Sequence, residues 1–122
     1  MAGSRPTQRT RAQLKKMGVE SDIVEKWIPQ ARRRRDVAGC IDVLAYGPAV
    51  GVLGIQCSRG GDHASHRTKA LAEPRLRDWL MGGGRFEIWS WSKLASGRWT
   101  LRRERLLFAG KAPGGSIVAV PV

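Results

Sequence analysis

Residues 32–60, RRRRDVAGCIDVLAYGPAVGVLGIQCSRG, open on four arginines and continue as two apolar runs, 40–46 and 52–58, joined by GPAVG. Branched and apolar residues flanking a Gly- and Pro-containing loop of about five residues are the signature of a β-hairpin. With the loop at 47–51, Tyr46 faces Val52, Asp42 faces Gln56 and Cys40 faces Ser58. Directly opposed antiparallel residues point to the same face with Cβ atoms about 5 Å apart. Ile41, Val43, Ala45, Leu53, Ile55 and Cys57 then gather on one apolar face, which is expected to be the core side. Asp42, Gln56 and Ser58 line up on the other as an oxygen-rich cluster. In this register Cys40 and Cys57 point apart, so no disulfide joins them.

A carboxylate held within a buried strand costs several kcal/mol unless it has a partner. Two partners suit Asp42. One is an arginine of the 32–35 run. The other is a hard divalent cation such as Mg2+ or Mn2+, for which Asp42 and the side-chain carbonyl of Gln56 offer oxygen ligands.

Outward from the hairpin, the pattern alternates between the two regular structures. Residues 6–17 predict a short helix with Leu14 and Met17 on one side, closed by Gly18. Residues 19–28 predict a strand ended by Pro29. Asp62 is expected to cap a helix through about Ala72, with a stripe of Ala64, Thr68 and Leu71, and Pro74 to open another that stops at Gly82–Gly84. RFEIWSWSKL (85–94) is apolar on both faces and reads as a central strand. RWTLRRERLLF (98–108) reads as a further strand, an edge by its charges. The fold class expected is α/β, a mixed central sheet flanked by helices. Residues 1–108 form one domain, and 109–122 a Gly/Pro-rich tail whose apolar end pairs with a strand or a second subunit.

The 122 residues carry 22 Lys and Arg against 10 acids, a net charge of +12. Such a field favours polyanions. No apolar stretch reaches the roughly 20 residues that span a bilayer. The opening MAGSRPTQRTR has no secretory apolar core, and two cysteines make neither a disulfide framework nor a four-thiolate metal site. A cytoplasmic, DNA-binding protein with reduced thiols is the expectation, with Arg32, Arg33, Arg34, Arg35, Arg59 and Lys69 gripping phosphates. His63 and His66, spaced i, i+3, read as polar residues of a loop-to-helix junction rather than as a metal pair lacking a third ligand.

The order of VEKW, RRRRDVAGCID, GIQCS and HRTK, over about residues 19–70, resembles the PD-(D/E)xK nuclease superfamily, in particular its small phage-type and Holliday-junction-resolvase-like members. The resemblance implies a restriction-endonuclease-like αβββαβ core and an Mg2+- or Mn2+-dependent endonuclease acting on DNA, branched DNA included, as a homodimer. It makes Asp42 the metal-binding aspartate and Glu25 the additional upstream acid. Gln56 stands in the place of the second acid and Ser58 in that of the lysine, so the motif reads QCS; Ile41, not proline, precedes Asp42. Helix geometry offers Arg67 as the replacement cation, or else as a salt-bridge partner of Asp36 or Glu73. The rivals are a non-catalytic nucleic-acid-binding module on the same fold and a basic assembly protein.

Overall fold

The computed structural model describes residues 5–110 and 115–122, apart from the side chain of Arg34, and no helix among them is long and apolar enough to cross a membrane. Helix α1 (Arg5–Lys16) ends at Gly18, whose φ of +75° suits a glycine stop. Of its expected apolar pair only Leu14 is buried; Met17 follows the last helical residue and is exposed. The run 19–28 is not one strand. It divides into β1 (Glu20–Ile23) and β2 (Lys26–Ile28), because the N–H groups of Val24 and Glu25 both turn onto the carbonyl of Asp42. β2 pairs instead with β3 (Arg33–Arg35), so three of the four arginines lie on a separate two-stranded ribbon.

The hairpin forms in the expected register, with Tyr46 of β4 (Val43–Gly47) opposite Val52 of β5 (Gly51–Arg59). A 3₁₀ turn, Gly60–Asp62, leads into α2 (His63–Ala72), and α3 (Pro74–Met81) follows with proline in its first turn. Asp62 is absorbed by the 3₁₀ turn and its side chain makes no cap hydrogen bond. β6 (Arg85–Lys93), β7 (Trp99–Phe108) and β8 (Ile117–Pro121) complete the chain.

Among the described residues, six strands form one mixed sheet in the order β1-β4-β5-β6-β7-β8. Only β5 and β6 run parallel; every other neighbour is antiparallel. A parallel pair needs a long crossover, and α2 and α3 supply it. β7 is not the expected edge: it lies between β6 and β8, with Arg103 and Arg105 paired to Glu87 of β6 and Glu104 paired to Arg67 of α2. The apolar end of the expected tail takes the edge as β8, while residues 111–114 of that tail lie outside the described residues.

Both faces of the sheet are covered. Leu14 of α1 packs with Val43, Ala45, Leu53, Ile55, Cys57, Trp89 and Trp91 on one side; Ala70 of α2 and Leu76 of α3 pack with Cys40, Ile41, Phe86, Ile88 and Leu106 on the other. Ile41 is therefore not on the face of Val43. The strand begins only at Val43, and Ile41 bridges back to Val37, dropping its side chain onto Gly54. A Cβ at Gly54 would sit 2.5 Å from Ile41 Cδ1, so this crossing requires glycine. Helix α2 is also rotated from expectation. It buries His63 and Ala70, half-buries His66 and Arg67, and exposes Ala64, Thr68 and Leu71.

Candidate functional site

The carboxyl ends of the parallel pair are where open α/β sheets place their sites, and here β5 ends in Gln56, Cys57, Ser58 and Arg59. A cavity of about 300 Å3 opens beside them, walled by Glu25, Asp36, Asp42, Gln56, Ser58 and His66.

Backbone bonds assemble it around Asp42. The Asp42 N–H donates to the Ile55 carbonyl at 2.9 Å, which fastens it to β5, and its own carbonyl accepts from Val24 and Glu25, which brings the end of β1 alongside. Its carboxylate Oδ2 accepts from the Cys57 N–H at 2.9 Å. Glu25, half-buried, is steadied from α1 by Thr7, whose Oγ1 donates to Glu25 Oε1 at 3.2 Å. Asp36 arrives by symmetry: Val37 and Ile41 pair across a tight turn, so their outer neighbours, Asp36 and Asp42, stand side by side. That turn closes on Ala38 and Gly39, with φ of +52° and +73°.

Glu25, Asp36 and Asp42 thus present carboxylate oxygens all within 4.8 Å of one another. Burial, followed by the nearby charges of Asp36 and Glu25, pushes the Asp42 carboxyl up from 3.8 to about 8, against the lowering effect of the Cys57 N–H. Beside the acids the Gln56 Oε1 is buried and accepts no hydrogen bond among the described residues; the Nδ1 of His66 is in the same condition. Burial lowers the His66 pKa. Three crowded carboxylates, with the Asp42 carboxyl raised in pKa and an orphaned amide oxygen at their side, fit a hard, oxygen-preferring divalent cation.

Asp42, Gln56, Glu25, Ser58 and Arg59, five of the expected site residues, line this cavity. The Ser58 hydroxyl donates to the Arg59 carbonyl at 2.8 Å rather than to an acid. Arg67 does not line it. Its Nε and Nη2 donate to Glu104 of β7 at 2.6 and 3.2 Å. Arg32, Arg33 and Arg35 are exposed on or beside the β2–β3 ribbon, and Lys69 is exposed on α2; the side chain of Arg34 lies outside the described residues.

Asp36, Asp62 and His66 are polar wall residues that the sequence does not mark as site members. The signal for Asp36 is DVAGCID, in which two aspartates stand equidistant from Gly39. His66 could be found only from the true rotation of α2. His63, by contrast, is structural: fully buried, it places Nδ1 2.5 Å from Ser90 Oγ and Nε2 3.0 Å from Glu104 Oε1. Both cysteines are buried free thiols in opposite core layers, and burial pushes each up to about 12, so neither is a nucleophile near neutral pH. No protein-family model, characterised protein or solved structure matches the chain, so the cavity's chemistry is the basis for assigning a role.

Proposed function

We propose that the protein is a divalent-metal-dependent endonuclease acting on DNA, with branched DNA as its favoured substrate, on a restriction-endonuclease-like core. The observation that carries this reading is the triad Glu25, Asp36 and Asp42 beside the orphaned Gln56 Oε1, in a cavity edged by Arg59 on a chain of net charge +12. With the β2–β3 ribbon set aside, the order α1, β1, β4, β5, α2–α3, β6 supports the αβββαβ assignment. The resemblance to PD-(D/E)xK enzymes supports it independently, through Asp42 and the position of Gln56.

Asp42, Glu25, Asp36 and the Gln56 carbonyl would hold Mg2+ or Mn2+. Bound there, the ion would polarise a phosphate and make an attacking water more acidic. Asp42 gives up its proton when it binds the ion, so metal affinity rises with pH towards about 8. Arg59 is placed to meet a phosphate at the cavity mouth. The exposed Arg32, Arg33 and Arg35, with Lys69, contribute non-specific phosphate contacts that weaken steeply with salt.

Ser58 is turned to a backbone carbonyl and Arg67 is held by Glu104, so the lysine of the superfamily motif has no replacement from either. That favours the second reading, a nucleic-acid-binding module that has lost chemistry. One assay decides. Linear, flapped and four-way DNA are incubated with Mg2+, with Mn2+ and with chelator, comparing wild type and Asp42→Asn. The nuclease cuts only with the ion, and Asp42→Asn loses about 100-fold or more in rate while retaining DNA affinity. Binding without cutting of any substrate establishes the module instead.

A further inference from the structure

A second concavity, of about 340 Å3, adjoins the acidic one. The two share Pro6 and Arg59. Its walls are the start of α1, the end of β5 and the tip of the β6–β7 hairpin, and they bring together Arg5, Arg9, Arg59, Lys93, Trp91 and Trp99. No acid lines it, and among the described residues none of its four cations pairs with a carboxylate.

The groove is braced. Lys93 and Trp99 face each other across β6 and β7. Trp91 Nε1 donates to Thr10 Oγ1 at 3.0 Å in a buried bond that fixes α1 against β6. Trp99 remains 39% exposed, its ring centroid 3.5 Å from the Arg9 guanidinium carbon and 5.9 Å from Lys93 Nζ. Arg9 and Trp99 thus form a short stack, and both guanidinium and indole planes accept a nucleobase.

Collecting four like charges around an exposed indole is unfavourable without a ligand, and a ligand that relieves it is anionic and carries flat aromatic faces. Duplex DNA hides those faces within its own stack, whereas an unpaired strand presents one at every nucleotide. We propose that this groove holds an unpaired segment of nucleic acid, with backbone phosphates on Arg5, Arg9, Arg59 and Lys93 and a base against the Arg9–Trp99 stack. The inference rests on the nucleic-acid reading above and sharpens it: the strand leaving the acidic cavity past Arg59 is single. The preferred substrate is then a duplex with a single-stranded arm.

The test uses the whole chain in chelator, so that binding is separated from metal. Labelled oligothymidine, a blunt duplex and a flapped duplex are titrated by fluorescence anisotropy between about 50 and 200 mM salt. Inorganic polyphosphate, which has charge but no base, is titrated as a competitor. Wild type binds oligothymidine with quenching of tryptophan emission. Trp99→Ala weakens oligothymidine by about tenfold or more, leaves polyphosphate within about twofold, and Trp99→Phe restores most of the loss. Arg9→Gln lowers the salt slope for oligothymidine by about one. The proposal is overturned if Trp99→Ala, folded by circular dichroism, binds oligothymidine like wild type, or if it loses polyphosphate to the same degree. Failure here leaves metal-dependent cutting of duplex intact. Failure of the nuclease reading abolishes cutting in every variant while the effects on oligothymidine persist.

Discussion

Two groups of acids, one within the sheet and one in the segments that flank β1 and β4, are treated in opposite ways. Glu87, fully buried on β6, accepts from Trp89 Nε1, from Arg103 Nε and from both Nε and Nη2 of Arg105. Glu104, on β7, is held below the ordinary carboxylate range; burial alone would raise it, but hydrogen bonds from Arg67 and His63 outweigh that effect. On the β4–β5 side, the Asp42 carboxylate receives one backbone N–H and hydrogen-bonds Glu25, another acid. Ion pairs and donors that satisfy a buried carboxylate make it a structural element, whereas acids turned towards one another at a cavity wait for a cation.

The largest effect is expected where satisfaction is complete. Glu87→Ala strands two arginines and the Trp89 N–H, and should cost about 3–5 kcal/mol, read as a loss of 10 °C or more in Tm. A fall of a degree or two would break the contrast. Asp42→Asn should act with the opposite sign. In the folded chain Asp42 keeps its proton up to about pH 8, while in the unfolded chain it loses it near the ordinary value of 3.8. The folded state therefore binds more protons between those values, and metal-free stability falls as pH rises across that window. Asn removes the penalty, so metal-free Asp42→Asn should melt roughly 5 °C or more above wild type at pH 8.5 and equal it at pH 4. Equal melting at both would show that the acids are not crowded. Next, Mn2+ at about 100 times its dissociation constant adds ~2.7 kcal/mol. That shift should be large at pH 8, small at pH 5, and absent in Asp42→Asn. The smallest change is Gln56→Leu. It removes an orphaned buried oxygen, so stability should hold or rise by up to ~1 kcal/mol, while Mn2+ affinity drops severalfold by titration calorimetry.

Much of this architecture is legible in the chain before folding. The hairpin register follows from loop length as far as Val43 opposite Ile55; beyond it the Asp42 N–H also turns to the Ile55 carbonyl, and Asp42 and Gln56 meet at one cavity. The apolar faces of β6 identify a central strand. Other features depend on contacts that no local pattern encodes. Residues 19–28 have the composition of one strand, but the Asp42 carbonyl captures two successive N–H groups and divides it. The charged look of β7 hides its interior position because Arg103, Arg105 and Glu104 find partners on β6 and α2. Arg67 and His66 are one step apart on α2, and about 100° of rotation decides which reaches the cavity. Counting from an assumed stripe of Ala64 and Leu71 favours Arg67; burial of His63 and Ala70 brings in His66.

The lone parallel contact between β5 and β6 has a mechanical meaning. β1, β4 and β5 form one antiparallel meander, β6, β7 and β8 form another, and the sheet is continuous only through that seam. The three carboxylates all come from the chain of the first meander, whereas the cationic groove draws Arg59 from one side and Lys93 and Trp99 from the other. Slippage or local opening along the seam would thus dismantle the strand-holding trough and spare the acids, giving the molecule two parts that fail at different loads.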